Sequence, residues 1–302
     1  MMVERIGVIG LGGVGRILVE DLLNHPGLQV RIWDKQFANS SSIAANNLRY
    51  LGSNPLLCAA DDAATAAQGC QLLFSAVTAD QAVIAAESIL PGLEKDALFV
   101  DLNSVSPGTK RGTCDLIEGA GGRFVEAAVM SPIVPLRSAS PILLAGPHAA
   151  VLKSLSQQLG FSDMTAVSAS LGRAAATKMC RSVIVKGVEA LVTESLLTAR
   201  HYGVEDSVLA SLDNLFPGPD WPEHARYLIS RSLVHGTRRA AEMREVAKTV
   251  DEAGLKPWMS EASVERHAWA PQFDSALKEQ SLEGMLDTIR NQCIKSRPER
   301  TK

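Results

Sequence analysis

The 302-residue chain has no basic excess: 30 Lys and Arg stand against 33 Asp and Glu, for a formal charge of −3. Residues 1–165 hold 11 basic and 15 acidic residues and residues 166–302 hold 19 and 18, so neither half offers the cationic surface that a nucleic acid requires. Cysteine is scarce, and its spacing is uninformative. Cys58, Cys70, Cys114, Cys180 and Cys293 are odd in number and form no CxxC pair or Cys/His ligand spacing, so neither a disulfide framework nor a metal site is expected. Reduced thiols in a cytoplasmic setting are the simplest reading. No uninterrupted apolar run reaches bilayer length, and the apolar start is interrupted by Glu4 and Arg5, so neither a membrane span nor a signal peptide is expected. Repeats and low-complexity tracts are missing as well.

What is present is globular in character, with 46% hydrophobic and 21% charged residues. The length exceeds one ordinary core and predicts two domains. Up to about Ala169, short β-rich runs alternate with helical stretches, the pattern of a doubly wound parallel sheet covered on both faces. Strands are expected at 4–9, 28–33, 54–58, 71–77, 97–102, 123–129, 142–146 and 163–168. After Gly172 strand signals all but cease. Helices are expected over 174–200, closed by Gly203, then over 223–235, 236–253 and 261–270, with a frayed charged tail after Ser296. The expected division is 1–169, an α/β domain of the Rossmann type, and 170–302, an all-helical domain.

The first strand runs directly into Gly10-Leu11-Gly12-Gly13-Val14-Gly15, a GxGxxG loop opening a helix. Gly10 permits the tight turn, Gly12 lets a pyrophosphate approach the backbone, and Gly15 allows close packing of helix on strand. The helix N–H groups beginning near Gly13 then face the phosphates. A second strand follows the turn Asn24-His25-Pro26-Gly27 and ends in Asp34, about twenty residues beyond Gly15, where a ribose-binding acid belongs. A carboxylate there accepts the ribose hydroxyls and repels a 2′-phosphate, which predicts NAD over NADP, with neighbouring Lys35 weakening the preference. The ends of the fourth and fifth strands, Ser75–Asp80 and Asp101–Pro107, should face the same cleft.

Lys178 is the expected catalytic residue. It sits early in the long helix after the break Ser170-Leu171-Gly172, and Lys178, Arg181, Ser182, Val185 and Glu189 share one helical face. A solvated or salt-bridged surface accounts for Lys178, Arg181, Lys186 and Glu189 equally well. In a cleft, low dielectric and the cations Arg181 and Lys186 would lower the pKa of Lys178 from its ordinary ~10.4 and suit it to proton exchange. His235, Arg238, Arg239 and Glu242 fall on neighbouring faces of a later helix, where the plain alternative is an Arg238–Glu242 pair. Trp221, Trp258, Trp269, Met243 and Met259 read as core or subunit contacts, and Phe216 with Trp221 flanks a Pro/Gly loop that suggests a lid.

The GLGGVG loop, the loop after strand five, the Gly-x-x-x-x-x-Lys helix start and the helical second half together resemble the β-hydroxyacid dehydrogenases. That family contains 3-hydroxyisobutyrate and 6-phosphogluconate dehydrogenases. The strings 178–189 and 235–243 resemble a branch whose C-terminal domain is related to that of phosphogluconate dehydrogenase. The resemblance implies hydride transfer between a nicotinamide and a 3-hydroxy acid, a small anionic substrate, while Lys178 exchanges the hydroxyl proton. It implies that Val77, Thr78 and Ser104 line the cofactor, and that Asn103 and Ser131, with Arg181 and Ser182, meet the substrate. The family's Ser-Gly-Gly carboxylate clamp corresponds by position to Met130-Ser131-Pro132, and its helix asparagine to Ser182, departures that point to a larger or more polar substrate. The resemblance also places His235, Arg238 and Arg239 over the substrate and the long helix in a homodimer interface. Two alternatives stand beside this: an imine reductase on the same fold, whose members usually carry Asp or Tyr in place of Lys178, and a dinucleotide-binding module without turnover.

Overall fold

The structure, a computed structural model, describes residues 3–212, 217–218 and 220–295. Eight strands form one sheet: β1 Arg5–Ile9, β2 Gln29–Trp33, β3 Leu57–Ala59, β4 Leu72–Ser75, β5 Leu98–Asp101, β6 Arg123–Val129, β7 Ile142–Ala145 and β8 Met164–Ser168. Their order is β3-β2-β1-β4-β5-β6-β7-β8. Helices α1 Gly13–Leu22, α2 Ile43–Leu51, α3 Ala63–Ala67, α4 Ala82–Ile89, α5 Pro107–Gly119, α6 Ile133–Leu136 and α7 Ala149–Leu155 intervene. The remainder is helical, with α8 Arg173–Tyr202, α9 Glu205–Leu212, α10 Trp221–Glu252, α11 Trp258–Trp269 and α12 Leu282–Lys295. The architecture is the Rossmann-type sheet followed by a helical region that the sequence predicts.

The central strands β1, β4 and β5 are apolar runs because both faces of the sheet are covered there. Ile6, Val8, Val30, Leu72, Phe74 and Val100 belong to one core cluster, and Ile9, Leu73, Phe99 and Phe124 to a second. Strands β1 to β6 pair in parallel, and β7 with β8, but β6 and β7 pair antiparallel. The expected parallel sheet is corrected there for a local reason. A parallel return needs a crossover, whereas the segment between β6 and β7 contains only the four-residue α6 and one 3-10 turn. Arg137, at a φ of 52°, pins this segment to α1: its guanidinium reaches Asp21 at 2.6 Å and Glu20 at 2.8 Å.

The chain divides into two compact units, Met1–Cys180 and Arg181–Lys302. In the second, Leu196, Leu209, Ile229, Leu233, Phe273, Met285, Leu286 and Ile289 share a core. Sequence periodicity divided α10 at Gly236, yet the helix is continuous over 32 residues. Gly236 is there for close packing: a Cβ would lie 2.3 Å from the His267 carbonyl oxygen and 2.7 Å from Pro271. Helices α9 and α12 were not anticipated. Met243 is buried and Trp221 and Trp269 pack on the core, while Trp258 and Met259 are exposed. Phe216, one side of the anticipated lid, lies outside the described residues. Among the described residues, no helix is long and apolar enough to cross a membrane.

Candidate functional site

The loop between β1 and α1 is shaped by two glycines and opened by two others. Gly10 has a φ of 96°, and a Cβ there would sit 2.6 Å from the Ala76 carbonyl oxygen. At Gly15 a Cβ would lie 1.9 Å from the Gly10 oxygen, so the helix can rest on the turn only without one. A Cβ at Gly12 or Gly13 would meet nothing within 4 Å. Gly12 is the N-cap of α1 and supplies no side-chain hydrogen bond, which leaves the first-turn N–H groups without a side-chain cap. Donors at the positive end of a helix, beside backbone with open space above it, suit a pyrophosphate. Asn47 on α2 braces the loop by donating to the Leu11 oxygen at 2.8 Å.

Asp34 lies directly after β2. Its Oδ2 accepts the Leu11 N–H and its Oδ1 the Gln36 N–H, each at 2.8 Å. An ionised carboxylate has about four acceptor positions, so these two bonds fix the group and leave capacity for ribose hydroxyls. Lys35 turns aside and donates to Gln81 at 2.6 Å. The residues present therefore fit a dinucleotide.

At the β4 and β5 ends, Asn103 is buried and holds the two strands together. Its Nδ2 donates to Ser75 Oγ at 2.9 Å and its Oδ1 accepts the Val77 N–H at 2.7 Å. Expected to meet the substrate, Asn103 instead has both ends of its amide engaged. Ser104 is half-buried beside it, Val77 is half-buried and Thr78 exposed. Ser131 Oγ, after β6, is buried and makes no hydrogen bond. Lys178 is half-buried in α8. The start of that helix is held by a residue the sequence reading missed. Glu126, fully buried on β6, accepts the N–H groups of Gly172 and Ala175 through its two carboxylate oxygens. Ala174 packs beside it on Ala128 and Ala145. Such a cap comes from a distant strand, and only the acid inside the apolar run 124–128 signals it.

In the second unit one member of the expected polar stripe, Glu189, is buried in an ion pair, and its neighbour Lys186 in another. Lys186 Nζ lies 2.8 Å from Glu242 Oε2, Arg239 lies 2.8 Å from Glu189, and Arg238 donates to Glu242 at 2.6 Å. Lys186, Glu189 and Arg239 are each at least 93% buried, so they are neither a solvated face nor free cations. Ser182 Oγ accepts from Lys186 at 3.3 Å, and Arg181 is exposed. Burial pushes the Lys186 ammonium down, opposed by Glu242, and pushes the Glu189 carboxyl up, opposed by Arg239. His235 Nε2 lies 2.9 Å from Arg231, and burial reinforced by Arg231, Arg238 and Arg239 pushes its pKa down to about 4. His267 is likewise lowered to about 4 by burial, although its ring bonds the Lys186 carbonyl. The structure thus links Ser182 and Arg238 through Lys186 and Glu242, pairs Arg239 separately with Glu189, and gives Arg238 the intrahelical partner that the plain alternative anticipated.

Comparison with known proteins agrees with this geometry. Residues 5–170 match the model of the NAD binding domain of 6-phosphogluconate dehydrogenase. The chain belongs to that family. Residues 199–270 match a domain of unknown function, DUF1932, so the family's domain pair covers both units. A crystal structure of a conserved hypothetical protein from Sinorhizobium meliloti is 33% identical, covers 96% of this chain and 97% of that one, and superposes with a TM-score of 0.70. Human mitochondrial 3-hydroxyisobutyrate dehydrogenase is 23% identical over 72% of this chain, which spans 63% of that protein's length. An imine reductase from Myxococcus stipitatus, solved with NADP+, shares the fold at 16% identity and a TM-score of 0.54, covering 94% of this chain and 98% of that one. The chain is therefore a member of an NAD-binding family, with 3-hydroxyisobutyrate dehydrogenases and imine reductases sharing its fold.

Proposed function

We propose that this protein is an NAD-dependent oxidoreductase of 3-hydroxy acids in which Lys178 exchanges the hydroxyl proton. The observation that carries this is the pairing, within one unit, of a dinucleotide cradle with a half-buried lysine on a helix whose start is clamped by Glu126. A bound nicotinamide supplies or accepts the hydride. Asp34 selects the unphosphorylated ribose, the α1 N-terminus takes the pyrophosphate, and Val77, Thr78 and Ser104 line the remainder. Ser131, Arg181 and Ser182 face the substrate. Arg238 and Arg239 each have a carboxylate partner, but with Lys186 and Arg231 they outnumber Glu189 and Glu242, so the cluster contributes positive potential. The nucleotide-binding domain is 1–169 and the substrate and dimerisation domain 170–302. Ile184, Val188 and Leu191, exposed at successive turns of α8, support a homodimer.

The test is turnover of a 3-hydroxy-acid panel with NAD and with NADP, followed in the reduced-nicotinamide absorbance band. Lys178→Ala should lose ~10²–10⁴ in kcat while NADH still binds, and Lys178→Arg should also fail because guanidinium does not release its proton in this range. Unchanged kcat in Lys178→Ala overturns the mechanism. A melting shift with NAD but no hydride transfer to any hydroxy acid would favour a binding module, and NADPH-dependent imine reduction the imine-reductase reading.

A further inference from the structure

Two buried charges of opposite sign meet at the end of β5. Lys110, on α5, is 1% exposed, and Asp101, at the end of β5, is fully buried. The Lys110 ammonium donates to the Asp101 main-chain oxygen at 2.7 Å and forms an ion pair with its Oδ2 at 3.1 Å that is not a hydrogen bond. The charge of Lys110 holds that side of the Asp101 carboxylate toward α5. The other carboxylate oxygen, Oδ1, then accepts the Asn103 N–H at 2.9 Å. Asn103 in turn bridges to the Val77 N–H and to the buried Ser75 hydroxyl. One chain of bonds therefore runs from a buried lysine to the main chain after β4.

We propose that Lys110 is a positioning residue that sets the strand ends receiving the nicotinamide half of the dinucleotide, an inference that rests on the dinucleotide-binding reading above. The sheet order gives the direction. Strand β1 has β2 on one side and β4 on the other, the switch point across which a dinucleotide lies. Asp34 at the end of β2 marks the adenosine ribose and the α1 N-terminus marks the pyrophosphate. The other nucleotide half then falls over the ends of β4 and β5, residues 75–78 and 101–104, which the Lys110 chain of bonds holds. Packing alone gives no reason for the pair, because burying an ammonium and a carboxylate is costly and an apolar pair of similar volume is commonly as stable or more so. What the pair provides is a fixed rotamer at Asp101 and, through it, a fixed amide at Asn103.

The experiment compares NADH with ADP-ribose, which lacks the nicotinamide, by calorimetric titration of the full chain. The variants are Lys110→Met with Asp101→Leu, which removes both charges together, and Asn103→Ala, which leaves the ion pair intact and carries the test if the double variant does not fold. NADH affinity is expected to fall roughly tenfold, the scale of one lost hydrogen bond, while ADP-ribose affinity stays within about twofold. An equal loss for both ligands, or unchanged affinities with a lowered melting temperature, overturns the proposal and leaves the pair with a structural role only. If the unaltered protein binds neither ligand, the dinucleotide reading fails first and takes this inference with it.

Discussion

Replacing Glu126 by glutamine changes one atom and tests how the Lys178 helix is held. The carboxylate is fully buried and accepts two main-chain N–H groups, from Gly172 and Ala175, at the start of α8. A hydrogen bond to a charged group is worth about 1.5–3 kcal/mol, and a buried donor left without an acceptor costs about 1–3 kcal/mol. Glutamine keeps one acceptor oxygen and turns its NH2 toward the second N–H, so roughly one such bond is lost, together with the negative charge at the helix N-terminus, itself worth about 0.3–1 kcal/mol. We expect a destabilisation of about 2–4 kcal/mol, which for a unit of this size is a melting shift of about 4–16 °C. The assay is thermal unfolding followed by circular dichroism, paired with kcat. Lys178 lies three residues beyond Ala175, close to one turn, so turnover should drop more than NADH affinity. In the Lys178→Ala background the same change should leave kcat where it is, because the group it positions is gone. Stability within about 0.5 kcal/mol of wild type, or unchanged kcat with Lys178 present, would refute the clamp.

Asp34→Ser should narrow or reverse the preference for NAD over NADP in kcat/KM, since it removes the repulsion of a 2′-phosphate while Lys35 remains. An unchanged ratio would mean that the carboxylate serves only the Leu11 and Gln36 N–H groups. For Gly236→Ala, helix propensity alone predicts a gain of about 1 kcal/mol. The 2.3 Å approach to the His267 carbonyl reverses that sign, and a loss of about 1–3 kcal/mol in denaturant midpoint is expected. His267 has a folded pKa of about 4 against an ordinary 6.5, so the unfolded chain binds its proton first as pH falls. Its stabilising contribution is complete above about pH 6.5 and lost toward pH 4, on the order of 3 kcal/mol for this fully buried ring. The melting temperature should fall across that window, and His267→Gln should flatten the fall; an identical pH profile in the variant would remove His267 from the account.

The parts legible in the sequence are those whose causes are local. The roles of Gly10, Gly12 and Gly15 follow from the backbone they must adopt, and Asp34 from its distance along one β-α-β unit. The central strands β1, β4 and β5 stand out as apolar runs because both faces of the sheet are covered there. The antiparallel β6–β7 pairing was hidden because it depends on what the intervening loop fails to form. Helix α12, though not anticipated, is legible in the same local way: Leu282, Met285, Leu286, Ile289 and Cys293 recur at helical spacing and pack on one core, with Glu283, Asp287 and Arg290 between them. Charges are the hardest to read. Arg238–Glu242 was anticipated since its partners are four residues apart on one helix, whereas Arg239–Glu189 and Lys186–Glu242 join residues on α8 to residues on α10 and nothing nearby announces them. Glu126 is intermediate. A carboxylate between Val125 and Ala127, in a strand too apolar to face water, must have a buried donor, so a partner could be inferred from the run itself. Which donor it takes could not be inferred, because Gly172 and Ala175 offer main-chain N–H groups that every residue but proline possesses, and only the placement of α8 on the end of β6 makes those two the ones.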